Sequence, residues 1–284
     1  MPFVPMSELL MPARSGGYAV PSFCVWDAAT MQAVLRSACA LEAPVILMSG
    51  PSEFALTPPQ QMAGIAGVLQ GHFPAKAALH LDHGDSFELV EACLAAGYTS
   101  VMLDYSTRPY EENAAALRHV VAMAGPLGVS VEGEIGVVGR AADETVEGSG
   151  RAMLTDPGEA ARYVADTGVD ALAVSIGNAH GIYTQLPRLD FERLAELRDA
   201  VPVPLVLHGG SGTPEADLRR AISLGIAKVN VASELVKTVR ESLMAQWQSG
   251  QHLWAPMALA TSMSAMAAVV ERWLRVTGGA GQAR

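Results

Sequence analysis

The sequence of 284 residues predicts a TIM-type (β/α)8 barrel, on three observations. Eight short apolar runs recur along the chain, amphipathic helical patterns separate them, and no linker or low-complexity stretch interrupts the series. Eight strand–helix units imply a parallel sheet with right-handed crossovers, and a parallel sheet of eight closes most simply into a barrel. The chain, 1–284, is therefore expected to form one domain.

The first run, AVPSFCV (19–25), leads into AATMQAVLRSACALEA (28–43), whose apolar residues fall at helical spacing and stop before Pro44. VILM (45–48) and AALHL (77–81) follow as strands, and SFELVEACLAAG (86–97) opens on an N-capping serine and ends on glycine. TSVML (99–103) precedes the helix EENAAALRHVVAMAGPLG (111–128), and VSVEGEI (129–135) is the fifth strand. The helix DPGEAARYVADTG (156–168) is followed by ALAVSI (171–176) and PLVLH (204–208). In TPEADLRRAISLG (213–225), Thr213 reads as the N-cap and Pro214 as the first helical residue. AKVNV (227–231) closes the set. Alternation is weak in all eight runs, as in strands buried on both faces.

Two segments break the pattern. GVVGRAADETVEGSG (136–150) is polar, glycine-rich and too long for an ordinary strand-to-helix turn, which marks it as a lid over an active site. The C-terminal helices, about 234–275, include an uncharged stretch from 253 to 270. Its Pro256, Thr261, Ser262, Ser264 and many alanines favour a buried or subunit-facing helix over a membrane span.

Half of the residues are hydrophobic, enough for a large core, and the net charge is −10. That balance argues against a nucleic-acid partner, which needs a basic footprint, but leaves room for an anionic small substrate at a local site. Cys24, Cys39 and Cys93 are odd in number and lack C-x-x-C spacing, so they read as reduced thiols of a cytoplasmic protein. The N-terminal MPFVPMSELLMPARSGG lacks the basic start and apolar core of a secretory signal.

In a barrel of this kind the chemistry sits where the strands end. The third run ends as LHLDHG, placing Asp82 and His83 at the rim; the fourth ends at Asp104; and the fifth carries Glu132 and Glu134 on one side of the strand. SIGNAHG brings His180, LVLHGGSG brings His208 and a loop almost without side chains, and VNVAS brings Asn230 and Ser233. Three histidines on one rim beside carboxylates suit a divalent metal with an open coordination position. The glycine loop offers N–H groups to an anion. His80, inside its strand, reads as a packed or tautomer-fixing neighbour, and His72, His119 and His252 as surface residues.

LHLDHG (79–84), EGEIG (132–136), NAHGIY (178–183), LVLHGGSG (205–212) and KVNVAS (228–233) together resemble the class II, zinc-dependent ketose-bisphosphate aldolases. The tagatose-bisphosphate and short bacterial fructose-bisphosphate enzymes are the most similar. The resemblance implies a catalytic zinc on His83, His180 and His208. Glu134 and Asp104 would match acidic positions that hold a second or displaced metal, divalent or monovalent. It implies Asp82 as acid/base and Gly181, Gly209, Ser211, Asn230 and Ser233 around the dihydroxyacetone phosphate half of a sugar phosphate. A homodimer or homotetramer is also implied.

The chain departs from the family at the distal end of the substrate. Thr184-Gln185 replaces a family cation, Cys24 an asparagine and Thr107 a histidine; the lid lacks its glutamate, and the last helix has no cation before Arg272. These changes keep open a monophosphorylated, acidic or non-phosphorylated substrate, and leave a non-catalytic partner subunit as a remoter alternative.

Overall fold

All eight apolar runs become strands of one closed barrel. The computed structural model describes residues 2–140, 154–181, 187–250 and 254–283. Its strands are β1 (Val20–Cys24), β2 (Val45–Ser49), β3 (Ala77–Gly84), β4 (Ser100–Leu103), β5 (Ser130–Ile135), β6 (Gly139–Arg140), β7 (Ala171–Val174), β8 (Ala179–His180), β9 (Leu205–Leu207) and β10 (Ile226–Val231). The two-residue strands β6 and β8 pair only with each other; the other eight close in the order β1-β2-β3-β4-β5-β7-β9-β10 and back to β1, all parallel. This is the TIM (β/α)8 barrel.

The helices are α1 (Ser7–Gly16), α2 (Ala28–Ala40), α3 (Pro51–Phe54), α4 (Pro59–His72), α5 (Phe87–Ala96), α6 (Tyr110–Ala124), α7 (Pro157–Thr167), α8 (Phe191–Ala200), α9 (Glu215–Ser223), α10 (Ser233–Ser249) and α11 (Ala255–Val276). Ser86 and Asp156 cap α5 and α7 by accepting from Leu89 N–H and Glu159 N–H. At α9 the expected cap shifts by one: Pro214 takes the N-cap place and the helix begins at Glu215. Among the described residues no helix is long and apolar enough to cross a membrane.

Two apolar layers hold the barrel. The outer one packs strand residues such as Phe23, Leu47, Leu172 and Val229 against Val34, Leu117, Leu197 and Trp273 of the helices. The inner one lies at the end where the strands begin: Val20, Ile46, Ala78, Ala171 and Ala227 meet Met6, Leu9, Leu10 and Ala13. Helix α1 thus plugs the floor of the barrel. The sequence reading assigned it no element, although Met6, Leu9, Leu10 and Ala13 follow the i, i+3, i+4, i+7 spacing of one helical face. With the floor sealed by hydrocarbon, polar side chains inside the barrel can be reached only from the opposite mouth.

Of the expected lid, Gly139–Arg140 forms β6 against the strand that carries His180, while 141–150 lies outside the described residues. Thr184 and Gln185 also lie outside them.

Leu10 is fully buried. Leu10→Ala is expected to destabilise the fold by about 2–5 kcal/mol in urea unfolding, as for other buried leucines. A loss below about 1 kcal/mol would show that α1 does not seal the floor.

Candidate active site

The end of β3 is built to turn a ring inward. Its pairing with β4 shifts register between Leu81 and Gly84, and His83 within that irregularity has φ 44°, in the left-handed region. Such a conformation in a non-glycine residue costs about 1–3 kcal/mol and persists where the surroundings over-determine it. His83 Nδ1 is 2.7 Å from Asp104 Oδ2, and Asp104 Oδ1 accepts from the hydroxyl and N–H of Ser106. Asp104 therefore orients His83 as the carboxylate behind a ligand imidazole does.

His208 follows β9 and is fully buried. Its Nε2 is 2.8 Å from Glu132 Oε1, and its Nδ1 is 2.9 Å from Glu134 Oε2. The two glutamates sit two residues apart on β5, so both side chains face one way. Asn178 Nδ2 donates to the His208 carbonyl, 2.9 Å away. Gly209, with φ 66°, then turns the chain where a Cβ would overlap the Ala179 carbonyl oxygen, so only glycine fits. His180, on β8, completes the group: ring centroids lie 4.9 Å (His83–His180), 4.7 Å (His83–His208) and 5.6 Å (His180–His208) apart.

The donor set fits a metal. One ligand nitrogen from each of His83, His180 and His208 lies within 4.8 Å of the others. His83 Nε2, His208 Nδ1 and Glu134 Oε2 are buried and make no hydrogen bond. The last two are close enough for one, at 2.9 Å, yet are not aligned for it. Such converging, unpaired atoms could hold a common cation. Burial and the neighbouring imidazoles hold His180 down at about 3, so its lone pair is available. Burial alone would lower His208, but the hydrogen bond with Glu132 and the charges of Glu132 and Glu134 hold it up at about 10.

Asp82 lies with His180 in a small cavity at the rim. Burial alone would raise its pKa; the charges of His83, His208 and Lys228 outweigh that and keep it well below the usual range. Asp82 Oδ1 accepts from Asn230 Nδ2 at 2.8 Å, while His80 Nε2 at 3.7 Å is too distant for a hydrogen bond. Gly181, Gly209, Ser211, Asn230 and Ser233 line this cavity with Asp82 and His180. Gly210 N–H is not free for an anion, since it donates to the Asn230 carbonyl. Ser211 Oγ accepts from Glu234 N–H, which leaves its own O–H to donate.

Sequence reasoning missed three members. Glu132 was read only as sharing a strand face with Glu134. Lys228, within the quoted KVNVAS motif, carried no role, whereas it is fully buried with Nζ 2.7 Å from Glu132 Oε2. Asn178, within the quoted NAHGIY motif, carried no role. Alternation along β5 and β10 was the available signal: positions 132 and 228 face into the barrel with 134 and 230.

A barrel with three histidines and carboxylates gathered at its mouth is suited to metal-assisted chemistry, and comparison with known proteins gives the class. The profile of the class-II fructose-bisphosphate aldolase family matches residues 4–282, and the chain belongs to that family. It is an aldolase, and its family is generally zinc-dependent. The YdjI aldolase of Escherichia coli K12 is 32% identical, with TM-score 0.89 over 100% of both chains. A protein of Coccidioides immitis provisionally described as a fructose-1,6-bisphosphate aldolase is 28% identical, with TM-score 0.87 over 97% of this chain and 96% of that one. The fructose-bisphosphate aldolase of Campylobacter jejuni shares the fold: 21% identity, TM-score 0.81, over 97% and 94%.

A neutral Nδ1 is required for metal binding at His208, whereas the metal-free ring, held up at about 10, carries a proton at pH 7. Metal uptake should therefore release about one proton from this ring, and affinity should weaken as pH falls below about 10. Calorimetric titration in buffers of different ionisation enthalpy measures the count. Uptake without proton release would show that His208 is already neutral.

Proposed function

We propose that this aldolase holds one zinc on His83, His180 and His208 and reversibly cleaves a phosphorylated ketose. The products are dihydroxyacetone phosphate, or a close analogue, and an aldehyde. The observation that carries the reading is the convergence of three imidazole nitrogens within 4.8 Å beside a cavity lined by Asp82. Glu134, with its unbonded Oε2 against His208, is placed to share the metal or receive it when displaced; Asp104 serves through His83. A cation beyond the one zinc would draw on these same two carboxylates.

When bound, the metal supplies Lewis acidity that polarises the substrate ketone. Asp82, anionic and steadied by Asn230, takes the proton of the hydroxyl on the carbon that becomes the aldehyde, and returns it in the condensation direction. Ser211 O–H and the N-terminus of α10 at Ser233 face the phosphate of the three-carbon half, with Gly181 and Gly209 allowing close approach.

The distal end of the substrate meets a different surface. Cys24 is buried beside Glu53 and Asp82, whose charges add to burial in pushing its thiol up. Arg108 is exposed and lies over the Tyr105 ring, 5.5 Å from its centroid, and Arg272 is bonded to Glu234 at 2.6 Å. Among the described side chains, a second phosphate dianion would meet carboxylates there without a committed cation, which is costly. The substrate we favour therefore carries one phosphate.

The chain is proposed to work as a homodimer or homotetramer. Val236, Met244, Trp247, Trp254, Met257 and Leu259 of the α10–α11 hairpin region are large, apolar and exposed in the single chain. Cys24, Cys39 and Cys93 are all free, in keeping with a reducing cytoplasm.

His83→Ala should release the metal and abolish turnover, while Asp82→Asn should keep the metal and lose about 10²–10⁴-fold in kcat. Metal analysis and retro-aldol assays test both; full zinc in His83→Ala, or near-normal rates in Asp82→Asn, would refute the assignment.

A substrate panel tests the distal end. Ketose 1-phosphates should give kcat/KM at least equal to that for fructose and tagatose 1,6-bisphosphates. A bisphosphate preference of about a hundredfold, near 3 kcal/mol, would mean that the second phosphate is well bound.

A further inference from the structure

The barrel interior holds a second group with metal-like spacing: His80, Asp82 and Glu132 each offer a ligand atom within 4.8 Å of the others. That group already has a cation. Lys228, fully buried, places Nζ 2.7 Å from Glu132 Oε2 and 3.3 Å from His80 Nε2. Burying an ammonium in a barrel is costly unless it is paired and hydrogen-bonded, so its presence calls for a reason.

The reason lies in the direction of the hydrogen bonds. An ammonium has three donors and no acceptor. Glu132 Oε2 and His80 Nε2 must therefore accept from it. His80 is left as the tautomer with the proton on Nδ1, which faces Ser100 Oγ at 2.8 Å. Glu132, kept as a carboxylate, uses Oε1 to accept from His208 Nε2–H at 2.8 Å. With its proton on Nε2, His208 presents the Nδ1 lone pair to the site. One donor-only group thus sets the polarity of the chain Ser100–His80–Lys228–Glu132–His208.

We infer that Lys228 is a positioning residue, an internal ammonium that acts through Glu132 to fix the tautomer and ring orientation in which His208 offers Nδ1 to the metal. Through His80 it also sets the acceptor-bearing ring edge behind Asp82. Lys228 touches neither metal nor substrate and forms no bond in the reaction. The inference rests on the metal assignment to His83, His180 and His208.

The test compares Lys228→Met with the double variant Lys228→Met/Glu132→Gln in the full chain loaded with Co²⁺. The single variant strands a buried carboxylate and can fail to fold; the double variant removes both charges, and its amide can donate as well as accept. The double variant is expected to fold, with Co²⁺ affinity weakened by about 10–100-fold, as for other groups behind metal ligands. Its cobalt visible absorption should also change, and kcat should fall by more than KM rises. A double variant with wild-type Co²⁺ affinity, spectrum and kcat overturns the inference, and so does one that does not fold, since the pair then serves stability. Wild-type protein that takes up no stoichiometric Co²⁺, or His208→Ala that keeps it, defeats the metal assignment instead.

Discussion

His208 stands at the mouth of the barrel without solvent contact, one ring nitrogen on Glu132 and the other 2.9 Å from Glu134. Two carboxylates around one imidazole in a protein interior cannot be left to themselves, because each buried charge needs a partner. Lys228 answers Glu132 from below, and Glu134 Oε2 has no hydrogen-bond partner. Much of the interior follows from that arrangement. The floor is hydrocarbon supplied by α1, and the polar groups gather above it, where a substrate can reach them.

Holding two glutamates on one ring places demands on β5. The alternation of a strand brings positions 132 and 134 to the same side, but the strand must also stay fixed along its length. Asn113 Nδ2 donates to the Glu134 carbonyl, and Tyr163 O–H donates to Asn113 Oδ1. Between the glutamates, Gly133 lets the Tyr163 ring come close: a Cβ there would lie 2.8 Å from a ring carbon. Helices α6 and α7 thereby brace the strand from behind. Across the mouth, Asn178 ties the His208 carbonyl, and β6 pairs with β8 beside His180. The strand ends that carry His180 and His208 are thus anchored by neighbours outside the histidine group.

The sequence made the barrel legible because buried parallel strands read as apolar runs, and all eight became strands. It made the rim legible because histidines and carboxylates at strand ends have few structural excuses. What it hid was depth. Lys228 in AKVNV looks like any strand lysine until the fold removes all its water, and Glu132 looks like a duplicate of Glu134 until His208 is seen between them. Helix α1 was hidden for another reason: its interior Pro12 and short apolar face read as an irregular terminus, and only the open floor of the barrel gives that face something to cover. The position of Asp104 behind His83 also needed coordinates, since a carboxylate at a strand end can equally face a metal.

The proton on His208 offsets carboxylate charge while no metal is bound. In that state the imidazolium and the Lys228 ammonium stand against Glu132 and Glu134. Were a divalent ion held by the three histidines as proposed, that proton would have to leave His208, and the ion's charge would answer the unbonded Glu134 oxygen in its stead. The same ring would then be a counter-ion in one state and a ligand in the other. That exchange requires Nε2 to keep its proton throughout, since only Nδ1 faces the site. Glu132 holds that proton, and a neutral residue at 228 would leave Glu132 a buried carboxylate with His208 as its sole strong donor. On the proposed reading, the metal chemistry above it would account for a buried lysine in this barrel.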